Sequence, residues 1–409
     1  MLIHWIWLAT RPDVSDRQKL AVLDAFGDPE DVFYGDNTRF ANVEGMTQAA
    51  AEALMDKNLT QAQEILDDCV EKDIHICTFH DAAYPVRLKN IVDPPVVLYY
   101  KGNLTGLDNS PVIGVVGTRK ASLYGLSTSK KMGYQIAKCG GILVSGLAEG
   151  NDGSAMEGAL TAGGKVIGVL GCGVDVVYPA MHRSLYRDTE KNGCLISEFP
   201  PKTPPYKWNF PKRNRIISGL SNGVLVVEAP HGSGSLITAK QAADQGRDVF
   251  VVPGNIDVPT FHGSNALLRD GAIAVSSGWD VISEYAHLYP DKIRRGNEDT
   301  IFLSTEEKPL PKVAQKSDIP VKKSIFDRKK EKKPVDNPTK KTYSVQQDIL
   351  ASLSPEEQKL LKPLEQGETL VDDLIAASAM PAGEVLGMLT MLQIRGVVEL
   401  LPGKRVALK

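Results

Sequence analysis

The chain has 409 residues, 42% hydrophobic and 24% charged, with a formal net charge of -3. That length supports two to four domains with buried cores, and the charge balance excludes a histone-like protein that coats nucleic acid by bulk charge, though not a local basic groove. Five scattered cysteines, odd in number and without a Cys-x-x-Cys, fit a reducing cytoplasm and offer no metal framework.

Residues 1–10 are apolar but carry His4, Trp5 and Trp7 and lack a basic leader. They read as a packed helix rather than a signal peptide, and no later run is long enough to span a bilayer. Residues 16–26 carry Leu20, Val22, Leu23 and Phe26 on a helical stripe stopped by Gly27. The turn Val43-Glu44-Gly45-Met46-Thr47 leads into a helix over 48–55 with Thr47 as its cap. This has the outline of a helix-hairpin-helix; without an adjacent lysine or arginine it reads as structural rather than phosphate-binding. A helix over 60–71 and a strand over 74–79 complete a small helical domain at 1–80. Tyr84-Pro85 and Asp93-Pro94-Pro95 then fix an extended entry into a strand at 96–100.

From 111 to 285 the pattern alternates. Strand-like runs fall at 112–116, 142–145, 166–170, 195–198, 224–228, 249–252 and 272–275. Helical stretches fall at 122–138, 152–162, 180–192, 215–220, 235–245 and 263–270. Short β-branched strands with crossover helices predict a doubly wound parallel α/β sheet, extended Rossmann-like, over 81–287. Residues 288–343 lose periodicity. The stretch 305–341 holds twelve Lys/Arg against six Asp/Glu, so about +6, and reads as a disordered basic linker. In the last segment, 344–409, Ser354-Pro355-Glu356-Glu357 starts one helix and Thr369-Leu370-Val371-Asp372 a second. A third covers 381–395, and a hairpin turns at Pro402-Gly403-Lys404, which together spell a winged helix. Its third helix carries Arg395 as its single cation, so partner binding fits it better than duplex reading.

Ligands of open parallel sheets sit at the carboxyl ends of the strands. There the sequence puts Gly117-Thr118-Arg119, Ser145-Gly146-Leu147-Ala148-Glu149-Gly150, Gly171-Cys172-Gly173, and Ser233-Gly234-Ser235-Leu236-Ile237-Thr238. Phe210-Pro211-Lys212-Arg213-Asn214-Arg215 adds three cations that follow a proline and open a short helix, its helical stretch expected over about 215–220. Glycine turns let a phosphate approach the backbone, helix starts supply N–H donors, and guanidinium forks bind oxyanions. Neither Gly-x-Gly-x-x-Gly nor a P-loop occurs, and the seven histidines show no metal spacing. Glu149, Asp152, Glu198 and Glu228 leave a hydrolase or transferase acting on nucleotides as the alternative; capping and pairing with arginine are their simpler roles.

Six ordered motifs resemble the DprA/Smf family of DNA-processing proteins. They are Tyr84-Pro85 with Asp93-Pro94-Pro95, Val116-Gly117-Thr118-Arg119, Val144 to Gly150, Phe210 to Ile217, Glu228-Ala229 with Ser233 to Ala239, and Val252-Pro253-Gly254-Asn255. The resemblance implies a SAM-like helical domain, then an extended Rossmann domain, then a winged helix. It implies a cytoplasmic protein of natural transformation that binds and protects single-stranded DNA, loads the RecA recombinase, and dimerises through the Rossmann domain. No catalytic reaction or cofactor comes with it. Carried onto this chain, the DNA-binding set is Gly117, Arg119, Ser145, Gly146, Phe210, Lys212, Arg213, Asn214, Arg215, Ser235 and Thr238. Phe210 or Trp208 stacks a base or, equally, packs in the core.

Overall fold

Short β-branched runs buried on both faces need helices above and below them, and the fold supplies both. The structure, a computed structural model, describes residues 1–295, 360–366, 368–378, 380–394, 397–401 and 405–408. The chain divides into two units, Met1–Lys308 and Pro309–Lys409. The first opens with six helices: α1 (Leu2–Thr10), α2 (Asp16–Phe26), α3 (Pro29–Phe33), α4 (Asn37–Ala41), α5 (Gln48–Met55) and α6 (Thr60–Glu71). Ser15 and Gln18 form a capping box at the start of α2, and Thr47 caps α5 by accepting from the Ala50 N–H. The Gln18 amide also donates to the Gly45 carbonyl, which ties down the hairpin turn before α5.

The sheet has nine strands: β1 (His75–Thr78), β2 (Val97–Gly102), β3 (Val112–Val116), β4 (Ile142–Ser145), β5 (Val166–Val169), β6 (Gly193–Ser197), β7 (Gly223–Val226), β8 (Asp248–Val251) and β9 (Ile273–Ala274). Their order is β1-β2-β6-β5-β4-β3-β7-β8-β9. Every pair from β6 to β9 is parallel; β1 and β2 form an antiparallel margin against β6. Strand β1 therefore links the helical section to the sheet edge. One core joins Trp5, Trp7 and Phe40 of the helices to Tyr99, Val115 and Leu143 of the sheet; a second fills the other face around Val116, Val144 and Ile217.

Helices α7 (Val86–Lys89), α8 (Leu123–Lys138), α9 (Asn151–Thr161), α10 (Arg183–Asn192), α11 (Asn209–Leu220), α12 (Gly234–Asp244) and α13 (His262–Arg269) connect the strands, and α14 (Gly278–Ile282) follows β9. The sequence expectation of a helix from residue 215 is corrected here: α11 starts at Asn209. Pro211 sits in its first turn, where N–H groups have no acceptor within the helix and proline is tolerated. The connector motifs also find their reason. The buried Tyr84 hydroxyl donates to the Pro95 carbonyl at 2.7 Å and pins the extended entry to β2. Packing continues past the expected boundary at residue 288, since Ile293 is buried and the Arg294 N–H donates to the Cys139 carbonyl.

The second unit contains β10 (Thr369–Leu370), α15 (Val371–Ser378), α16 (Ala382–Ile394), β11 (Val398–Leu401) and β12 (Arg405–Leu408), with sheet order β10-β12-β11. It is a winged helix built around Leu364, Leu374, Val385, Leu389 and Val406. Thr369 and Leu370, read as a helix start, instead pair with β12. The Ser354 helix start, the 402–404 turn, Arg395 and the linker stretch 296–343 lie outside the described residues. Among the described residues no helix is long and apolar enough to cross a membrane.

Candidate nucleic-acid interface

An open parallel sheet reverses its winding at one point, where the loops part and leave a crevice at the carboxyl ends of the strands. Here that point lies between β3 and β7. Val116 pairs with Val226, so the two strands end level, and the Thr118 N–H donates to the Glu228 carbonyl just beyond them. A cleft of about 370 Å³ opens there, walled by the turn after β3, the turn before α12, and α11.

Helix periodicity decides which part of α11 enters the cleft. Phe210, Arg213, Asn214 and Ile217 line it, and their spacing of three, four and seven is that of one helical face. Lys212 and Arg215 are spaced by three and share a different face, since each residue turns the helix by about 100°. That second face meets carboxylates. Arg215 donates both terminal nitrogens to Glu198, at 3.1 and 2.7 Å, and reaches Asp16 at 3.0 Å. Its Nε lies 3.3 Å from Asp93, close enough to pair but out of line for a hydrogen bond. Lys212 sits 3.1 Å from Asp16 and 3.2 Å from Glu198. The expectation that both cations face the phosphate cleft is therefore corrected.

Gly117, Arg119, Phe210, Arg213, Asn214, Ser235 and Thr238 do come together around the cleft. Ser145 and Gly146 stand behind it. The buried Ser145 hydroxyl donates to the Val115 carbonyl at 2.6 Å. Gly146 donates its N–H to Asp152 at 3.1 Å, and its carbonyl accepts from Arg213 at 3.0 Å. A side chain at 146 would collide with the Arg213 guanidinium, so this glycine makes room for the arginine rather than for a phosphate. Gly117 is likewise demanded by the Asn151 side chain pressed against it, and that amide also donates to the Glu228 carbonyl.

Arg213 is almost fully buried, and its guanidinium also donates to the Val169 carbonyl. Burial pulls its pKa below the ordinary value, while Asp152 beside it acts in the opposite direction. For Asp152 the sequence left two roles, an acid or base and the simpler one of capping or pairing with an arginine, and its place beside Arg213 fits the simpler one. Burial raises its carboxyl; Arg213 and the N–H groups of Gly146 and Gly117 counter this. The pair makes a fixed polar floor. At the mouth, Arg119 is exposed and lies over the Phe210 ring, 5.0 Å from its centre, with the Arg213 guanidinium at 5.8 Å. Lys120 and His231, outside the expected set, complete the rim. Ser233 caps α12 by accepting from the Ser235 N–H, so the positive end of that helix faces the same space.

Of the remaining acids, Glu149 is exposed, while Glu198 and Glu228 are occupied. Glu198 holds Arg215, and Glu228, fully buried, accepts from the Ser122 N–H at 3.0 Å and its hydroxyl at 3.1 Å. The thiol of Cys172, buried just beyond β5, is pushed up to about 11, away from thiolate chemistry. Glu228→Ala should lower stability by about 1–3 kcal/mol by orphaning the Ser122 donors, while Glu228→Gln, which keeps an acceptor, loses less. Urea unfolding of the two variants checks this ordering.

Residues 75–286 match the family model described as DNA recombination-mediator protein A, and residues 346–404 match the DprA winged helix domain. The chain belongs to the DprA/Smf family. It is 44% identical over 214 residues to the DNA processing protein DprA of Bacillus subtilis, covering 52% of this chain and 72% of that protein. Protein Smf of Synechocystis is 33% identical over 372 residues, 89% of this chain and 87% of its own. The crystal structure of DprA from Streptococcus pneumoniae superposes with a TM-score of 0.62 at 34% identity, over 69% of this chain and 98% of that one. The DprA model starts at the first residue of β1, so it takes in the sheet and the whole cleft.

Proposed function

We propose that the chain binds single-stranded DNA in the switch-point cleft and mediates recombination. It protects incoming strands and loads RecA on them, as a cytoplasmic homodimer built through the Rossmann domain. The observation that carries the reading is the cleft face of α11, where the Phe210 ring lies beside two guanidinium groups, one fixed and one exposed. A ring beside cations takes a base and its neighbouring phosphates together, which suits an unpaired strand. The contact set is Gly117, Arg119, Phe210, Arg213, Asn214, Ser235 and Thr238. The family description, a recombination mediator, supports the same role. The RecA step rests on family membership. The dimer reading draws on the exposed margin of the sheet at β9.

The test is a titration of labelled single-stranded and duplex oligonucleotides of one sequence at two salt concentrations. The single strand should bind more tightly, with affinity falling as salt rises. Equal affinities would count against the reading. Turnover of nucleoside phosphates that disappears in Glu228→Gln would favour the enzymatic alternative. Light scattering tests the dimer, and RecA filament formation on a pre-coated strand tests loading.

A further inference from the structure

Two large aromatic side chains lie outside both cores, immediately before α11. The rings of Tyr206 and Trp208 are stacked, with centres 4.8 Å apart and planes 8° from parallel. Trp208 is 71% exposed and Tyr206 45%. An indole left in water forfeits the stabilisation that burial would bring, so a parallel exposed pair points to a surface that meets something flat.

The pair is held in place. Pro204 and Pro205 stiffen the approach, the Tyr206 N–H donates to the Pro204 carbonyl, and the Asn209 N–H donates to the Tyr206 carbonyl. The Asn209 side chain, buried, anchors the helix start on the Gly171 carbonyl at 3.0 Å. Two observations select the occupant. The first is continuity: Phe210, a wall of the cleft, is two residues on, so its Cα lies within about 7.6 Å of that of Trp208. The second is charge. Lys207, between the two residues in sequence, is exposed and forms no ion pair among the described residues, whereas Lys202 is paired with Asp68 and Lys212 with Asp16 and Glu198.

We propose that the Tyr206–Trp208 pair is a second base-stacking platform, which with Lys207 extends the single-strand path beyond the cleft. The occupant is an unpaired nucleotide of the same strand; in this the inference rests on the function proposed above. Stacking accepts any base, so the platform adds affinity without sequence preference.

The experiment compares full-length wild type, Trp208→Ala, Trp208→Phe and Arg119→Ala by anisotropy with oligothymidylates of increasing length, at several salt concentrations. Trp208→Ala should weaken binding about 5- to 100-fold on long strands and little on strands short enough to fill the cleft alone. Its salt slope should match wild type, because stacking releases no counterions, whereas Arg119→Ala should lower the slope. Trp208→Phe should recover most of the affinity. Because Trp208 is exposed, thermal unfolding of the variants should match wild type. Wild-type affinity in Trp208→Ala on every strand length, with Arg119→Ala weakened, would overturn the platform and leave the cleft standing. A change in oligomeric state with unaltered DNA affinity would assign the pair to a chain–chain contact and also overturn it. Failure of the wild type to bind any single strand would overturn the function itself.

Discussion

Replacing Arg215 with methionine is expected to lower the free energy of unfolding by about 3–5 kcal/mol. The side chain is 4% exposed and its partner Glu198 5%. Removing the guanidinium leaves a buried carboxylate short of its main counter-charge. The lower end of the range is favoured because Lys212 remains 3.2 Å from Glu198. Chemical denaturation measures the loss, and an unchanged midpoint would refute the structural role given to this arginine. DNA affinity of the folded fraction should stay near wild type, because Arg215 lies on the face of α11 turned away from the cleft. The same cluster sets an acid limb. Burial alone would raise the Asp16 carboxyl, but Lys19, Lys212 and Arg215 together hold it below its ordinary 3.8. A depressed carboxylate contributes stability that is present above the unfolded value and is lost as pH falls through the folded one. Asp16→Asn should therefore be less stable than wild type at neutral pH, with the difference shrinking below about pH 4.

Removing Arg119 and Lys120 together is expected to do the reverse: DNA binding falls while stability holds. Both are exposed on the cleft rim, and neither forms an ion pair among the described residues. Each phosphate contact to a single strand contributes about 0.7 to the slope of log K against log salt, so the double alanine variant should lose about 1.4. At low salt this should appear as a drop in affinity of tenfold or more, on the order of 1.4 kcal/mol or above. An unchanged slope would remove both residues from the strand path. Arg213→Ala belongs with neither case. Its guanidinium is part of the cleft wall and also holds the buried Gly146 and Val169 carbonyls, so that variant should lose stability and affinity together.

The alternation of short apolar strands with helices was legible because it is local: β-branched runs of four or five residues cannot shield both faces without crossover helices. The ends of β3 and β4 fall where the residues alone put them, as do those of α2, α5 and α6. The collection of Gly117, Arg119, Ser235 and Thr238 at one sheet edge was legible for a related reason, since parallel strands deliver their following loops to the same side. The start of α11 was placed too late because the apolar stripe begins only at Ile216, while in space Pro211 occupies a first turn that needs no donor.

What the residues determined by themselves, then, is the doubly wound sheet, its carboxyl edge, and the types of group that gather there. Only the tertiary structure decided which cations serve that edge. Three cations within four residues look like one basic patch in a linear reading. Wound on a helix at about 100° per residue they part into two faces. One carries Arg213 to the cleft floor. The other gives Lys212 and Arg215 to Asp16, Asp93 and Glu198, carboxylates from the helical section, the connector and the end of β6. No local pattern announces pairs formed across 199 and 17 residues. They exist because burying a guanidinium is tolerable only where the fold brings counter-charges to it.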